Sequence, residues 1–136
     1  MQNMTIGEVV KATGGTLVKG DENALFNKIG KDSRAVEDGM LYVAIKGERF
    51  DGNDYAKACL DSGAMGCLVS REVEGDGNVV LVEDTIKALG QLASYYRKKF
   101  DIPFVGITGS VGKTTTKEMV YAVLSEKYNT LKNEGN

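Results

Sequence analysis

The sequence predicts an α/β protein, and three observations carry that prediction. Short apolar runs rich in β-branched residues, such as "GMLYVAIKG" and "NVVLVED", alternate along the chain with segments whose apolar residues recur at three- and four-residue steps. Glycines bound these runs more often than they interrupt them. Near residue 104 an apolar run, "PFVGIT", enters a glycine loop and leaves it on a helical pattern, the strand-turn-helix unit from which parallel sheets are built.

In chain order, "MTIGEVVKATGG" starts a helix at Thr5, with Glu8 three residues on for a reciprocal cap, and Gly14 and Gly15 stop it. "TLVKG" and "NKIGKDSR" read as short strands, the second bringing Asp32, Ser33 and Arg34 to its end, and "GMLYVAIKG" reads as a buried strand. "DYAKACLDSGA" is a helix beginning near Asp54, with Asn53 able to cap it, Tyr55, Ala58 and Cys59 near one face and Gly63 as its stop. "GCLVS" and "NVVLVED" add two buried strands. From Asp84 a longer helix repeats Ile86, Leu89, Ala93 and Tyr96 and closes on "RKK", cations suited to a helix C-terminus. "DIPFVGIT" is then a strand whose one proline, Pro103, sits where no ladder hydrogen bond is lost.

Composition excludes several classes. With 17 Lys and Arg against 19 Asp and Glu the formal charge is −2, so no global positive field draws the chain to nucleic acid or lipid. No apolar run approaches a membrane span, and the N-terminus lacks the basic-then-apolar pattern of a secretory signal, which predicts a cytoplasmic protein. Two cysteines and no histidine cannot assemble a zinc site or a disulfide framework; Cys59 and Cys67 read as small buried apolar residues.

The densest chemistry lies at Thr108-Gly109-Ser110-Val111-Gly112-Lys113-Thr114-Thr115. The strict Gly-x4-Gly-Lys-Ser/Thr pattern fails by one residue, because position 107 is Ile. The context still suits a phosphate loop: glycines let successive N–H groups converge on phosphate oxygens at a helix N-terminus. Lys113 would neutralise β- and γ-phosphate charge and the Thr114 hydroxyl would ligate Mg²⁺, while Met119, Val120, Val123 and Leu124 mark the inward face of the helix that follows. The blander alternative is a glycine-rich turn with an exposed lysine. Three threonines in one first turn argue against it, since threonine is a mediocre helix former. Upstream, Ser33, Arg34, Glu48, Arg49 and Phe50 lie on two loops at strand ends, where a hydroxyl, amides and an aromatic ring can hold a base and arginines can meet a diphosphate. On the residues alone, an Asp-Arg surface pair and an ordinary turn is the better reading of that block.

"GITGSVGKTTTKEM" resembles the ATP loop of the Mur ligases, whose pattern is Thr-Gly-x-x-Gly-Lys-Thr/Ser, and "DSRAVEDGMLYVAIKGERFDGNDYAKACLDSGAMGCLV" resembles the N-terminal domain of the members that add the third residue and the closing dipeptide. The resemblance, strongest to the dipeptide-adding branch, covers nearly the whole chain. It implies a small α/β UDP-substrate domain at 1–83, then the first strand, P-loop and helix of an ATPase domain at 84–136, with further domains, the second metal ligand and the adenine pocket beyond Asn136. It implies a piece of a longer peptidoglycan-synthesis ligase that is inactive alone.

The reaction implied is ATP-dependent amide bond formation. ATP phosphorylates the carboxylate of UDP-N-acetylmuramoyl-tripeptide, and the amine of D-alanyl-D-alanine attacks the acyl phosphate. By the same resemblance Thr108 to Thr115 bind ATP, Lys113 and Thr114 serve catalysis, Thr114 holds Mg²⁺, and Ser33, Arg34, Glu48, Arg49 and Phe50 contact the uridine end. Many relatives carry histidine after "DG" where this chain has Asn53. Another Mur or folate-type P-loop ligase, or a non-catalytic UDP-ligand module, stays open. The segment from 84 onward lacks sheet partners, so it is expected either to pair with a second copy in a dimer or to remain mobile with its loop poorly formed.

Overall fold

In the computed structural model, which describes residues 1–135, the first helix begins where its reciprocal cap predicts. The Glu8 amide donates to the Thr5 hydroxyl at 3.1 Å and the Thr5 amide donates to the Glu8 carboxylate at 2.9 Å. From this cap α1 runs Ile6–Thr13 and ends at Gly14, whose φ of +68° suits glycine. The residues just before the helix, β1 (Met4–Thr5), pair antiparallel with β3 (Leu25–Phe26), a two-stranded ribbon absent from the sequence reading. Met4 and Phe26 are fully buried, so the ribbon is held by its side chains as much as by its ladder.

The main sheet contains β2 (Thr16–Lys19), β4 (Lys28–Gly30), β5 (Met40–Val43), β6 (Gly66–Val69) and β7 (Asn78–Leu81), in the spatial order β2-β7-β6-β5-β4. The last four run parallel, and β2 closes one edge antiparallel to β7. Strand residues point alternately to opposite faces, and both faces of this sheet are covered. Leu41, Val43, Leu68 and Val80 pack with Ile6 and Val9 of α1 and with Ala88 and Leu92 of α3 (Thr85–Arg97). Tyr42, Cys67, Val69 and Val79 pack instead with Ala56, Cys59 and Leu60 of α2 (Ala56–Asp61). Each such Leu or Val contributes about 1.5–3 kcal/mol by leaving water. Helices thus lie on both sides of a mostly parallel sheet.

Two helix faces differ from expectation. A 3₁₀ turn at Gly52–Tyr55 precedes α2, so the α-helix begins at Ala56 and its buried residues are Ala56, Cys59 and Leu60, leaving Tyr55 and Ala58 outward. Asp51, rather than Asn53, caps that turn. In α3 the inward residues are Thr85, Ala88 and Leu92, with Leu89 and Tyr96 at the margin and Ile86 and Ala93 exposed. A buried hydrogen bond from the Thr85 hydroxyl to the Ala44 carbonyl, 2.8 Å, pins the rotation of this helix, while Asp84 caps it.

The chain divides into compact units at Phe100/Asp101 rather than at 83/84. The reason is α3, which packs on α1 and is tied to it by Lys99 and Glu8 at 2.6 Å. In the second unit "DIPFVGIT" forms no strand, and among the described residues of that unit no other segment is a strand that could supply it a ladder. The helix α4 (Lys113–Ser125) does form, but its expected inward face is only partly covered: Val120 and Leu124 are half-buried, whereas Met119 is 65% and Val123 72% exposed.

Candidate functional site

The glycines of the 108–115 segment take conformations that other residues rarely adopt. Gly109 has φ +151° and Gly112 φ +80°, and Gly112 is the N-cap of α4. A glycine cap contributes no side chain, so Gly112 itself makes no side-chain capping bond to the first turn of α4. Lys113 is the first helical residue, and its ammonium folds back to donate to the Gly109 carbonyl at 2.7 Å. A positive group is thereby held over the mouth of the turn, at the helix end whose dipole also favours anions.

Lys113 and Thr114 line a cavity of about 110 Å³ together with Val105, Ile107, Lys117, Asn133 and Gly135. Of the residues expected to bind nucleotide, these two share the cavity wall. Thr108, Gly109, Ser110, Val111, Gly112 and Thr115 form the turn and helix start beside it. Lys117, Asn133 and Gly135 were not foreseen. Lys117 was within reach of sequence reasoning, since it stands four residues after Lys113 and so on the same helix face.

Ser33 and Arg34 lie in a turn beyond the end of β4, not within the strand. Arg34 closes on Asp32: its amide donates at 3.0 Å, its Nε at 2.9 Å and its Nη2 at 2.8 Å. These bonds, the side-chain ones foremost, lower the Asp32 carboxyl to about 2. Arg34 remains 87% exposed, so its guanidinium is a surface group, half engaged locally. Glu48, Arg49 and Phe50 occupy the tip of a turn bounded by the Lys46 and Asp51 bridge, with the Gly47 amide on the Phe50 carbonyl at 2.9 Å. Phe50 is 59% exposed. A Cβ at Gly52 would meet the Ile45 backbone at 2.7 Å, so only glycine lets this turn fold back on β5.

Both turns follow the carboxyl ends of neighbouring parallel strands, β4 and β5, the end of an open sheet at which ligands bind. Among the described residues no hydrogen bond or ion pair joins one turn to the other. Asn53 is buried and does not face that region as a free group. Its side chain bonds Asp51 at 2.6 Å and the Ser70 hydroxyl at 3.0 Å and accepts the Ser70 amide at 2.9 Å, linking the turn after β5 to the end of β6.

Both cysteines are buried, and burial pushes the Cys67 thiol up to about 12, in keeping with an apolar role. Among the described residues no three acidic or cysteine side chains gather into a metal cluster. No described helix is long and apolar enough to cross a membrane.

Comparison with known proteins adds to this geometry. The family described as Mur ligase family, catalytic domain, matches residues 26–97, and the Mur ligase middle domain matches 107–136. A UDP-N-acetylmuramoyl-tripeptide–D-alanyl-D-alanine ligase of Synechocystis sp. is 44% identical over 118 residues, 85% of this chain and 26% of that protein. A crystal structure of MurF from Acinetobacter baumannii superposes with a TM-score of 0.92 at 35% identity, covering 100% of this chain and 30% of that one. A MurF ligase from Thermotoga maritima in complex with ADP superposes with a TM-score of 0.74 at 37% identity, over 81% of this chain and 26% of that one. The chain therefore spans less than a third of the length of these relatives. A match over more than half its length, with the fold and loop geometry that accompany it, makes the chain a member of the Mur ligase family.

Proposed function

We propose that this chain supplies the UDP-substrate region and the nucleotide phosphate loop of an ATP-dependent ligase of peptidoglycan synthesis. The enzyme would work in the cytoplasm and join D-alanyl-D-alanine to UDP-N-acetylmuramoyl-tripeptide. The observation that carries the reading is the 109–115 turn: two glycines at positive φ, one of them the N-cap of α4, and the Lys113 ammonium held 2.7 Å from the Gly109 carbonyl. The relatives named above, one of them in complex with ADP, support it.

In this reading Lys113 exchanges the Gly109 carbonyl for a phosphate oxygen. The exchange needs little motion, because the ammonium already sits over the turn. Backbone N–H groups of the turn and first helical residues then stabilise charge as the γ-phosphoryl group passes to the tripeptide carboxylate. The Thr114 hydroxyl fits a Mg²⁺ that keeps most of its ligands from phosphate and water, and the ion would neutralise phosphate charge there. In the first unit, the turns bearing Ser33 and Arg34 and bearing Glu48, Arg49 and Phe50 are assigned to the uridine diphosphate end, Phe50 offering a ring face.

Calorimetry with Mg·ADP and, separately, with the UDP-linked tripeptide tests the division of labour. Lys113→Ala should remove nucleotide binding and leave the UDP ligand within about twofold, whereas Ser33→Ala should weaken the UDP ligand by about 1 kcal/mol and spare the nucleotide. Loss of both ligands in a folded Lys113→Ala protein, or binding of neither by the unsubstituted chain, would remove the proposal.

A further inference from the structure

Lys117 has no part in the loop itself, yet its surroundings are unusual for a helix-surface lysine. Its side chain is only 15% exposed, and its ammonium donates to the main-chain carbonyls of Asn133 at 2.9 Å and Gly135 at 3.4 Å. An ammonium so far withdrawn from water needs acceptors for its hydrogens. Here most of that need is met by backbone, with the Glu118 carboxylate farther off at 3.8 Å.

The carbonyls belong to an irregular stretch that no helix or strand ladder holds. Two more residues of α4 reach the same stretch: Glu118 bonds Lys132, and the Lys132 ammonium lies 4.5 Å from the centre of the Tyr121 ring. The Asn133 side-chain amide in turn donates to the Gly135 carbonyl. Three side chains of one helix thus fasten 132–135 alongside α4. Lys117, Asn133 and Gly135 also line the cavity that contains Lys113 and Thr114. The tie and the candidate phosphate site therefore share a wall.

We infer that Lys117 is a positioning residue of the phosphate site, which holds the 133–135 main chain against α4 so that the cavity wall is in place before a nucleotide arrives. The inference rests on reading that cavity as a nucleotide site. A binding-competent arrangement that is populated only part of the time lowers apparent affinity by that fraction, so loosening the segment should weaken nucleotide without removing any phosphate contact. Lys113 does the opposite: it is placed to touch phosphate and takes no part in the tie.

The test uses the 136-residue chain and its Lys117→Met, Lys117→Arg and Lys132→Met variants. Two quantities are read: amide hydrogen exchange of residues 130–135 without nucleotide, and Mg·ADP affinity by calorimetry. Lys117→Met should speed exchange of that segment and lower affinity, each by about tenfold, while amides 118–125 of α4 keep their protection. Lys132→Met should move both quantities the same way by less, and Lys117→Arg, which keeps charge and donors, should recover most of each. Unchanged exchange in Lys117→Met overturns the inference, whether affinity is kept or lost, since loss without loosening would mean direct phosphate contact. Faster exchange at unchanged affinity overturns it too. Failure of the unsubstituted chain to bind Mg·ADP is a different result, which removes the nucleotide reading itself.

Discussion

Asn53 shows how much a single buried amide can organise. Its side chain satisfies the Ser70 amide and hydroxyl and an Asp51 oxygen at once, closing the turn after β5 onto the end of β6. Replacing it by alanine leaves the partly buried Ser70 amide without this acceptor, which should cost about 1 kcal/mol of stability, measured by denaturant unfolding. A cost near zero would show that water takes its place. Its role as a clamp is visible only through Ser70, 17 residues away. Ser33, Arg34 and Phe50 were legible as candidates from residue type and from the resemblance. That Arg34 spends its donors on Asp32 follows from the turn they share, as the residue-level reading had it.

Among the elements, α1 is held by an interaction that is local in sequence and another that is not. Thr5 and Glu8 form the reciprocal cap, and Glu8 also meets Lys99 at 2.6 Å and Tyr95 at 3.4 Å, from beyond the end of α3 and from within it. The Lys99 hydrogen bond, helped by the Thr5 amide, lowers the Glu8 carboxyl below its ordinary 4.5, against the upward push of burial. A lowered carboxylate stabilises the fold above its unfolded-state value and loses that contribution as pH falls through the folded one. Thr5→Ala should therefore cost about 1 kcal/mol. Glu8→Gln should be less stable than the unsubstituted chain at neutral pH, with the difference shrinking below pH 4.5; a difference independent of pH would show that Glu8 acts without its charge. The helices read from periodicity exist at their expected places, but the phase of α2 was displaced by the 3₁₀ turn and that of α3 by the Thr85 hydrogen bond.

At the scale of the molecule, the second unit presents apolar surface that its own residues leave uncovered. Ile102, Val105, Met119, Val123 and Leu131 are all exposed. Apolar side chains left in water favour association that removes them from it. Light scattering of the 136-residue chain should show an apparent mass that rises with concentration, and Val123→Glu should hold it at the monomer value. A mass constant over a hundredfold range of concentration would mean that this face tolerates water.

The sequence by itself determined the α/β class, the strand β2 and the strands from β4 to β7, the cap of α1 and the glycine turn that enters α4. Each of these depends on neighbours a few residues apart: alternating or continuous apolar runs, a hydroxyl three residues before a carboxylate, glycines where φ must be positive. Tertiary structure alone decided the ribbon of β1 and β3, the rotation of α2 and α3, the attachment of α3 to the first unit, and the fate of "DIPFVGIT". These depend on partners distant in the chain. A strand is a strand only when another supplies its ladder, and a helix face turns inward only where a surface waits to receive it. Lys117 belongs to the same class: its spacing from Lys113 is written in the sequence, but the carbonyls that claim its ammonium lie 16 and 18 residues onward.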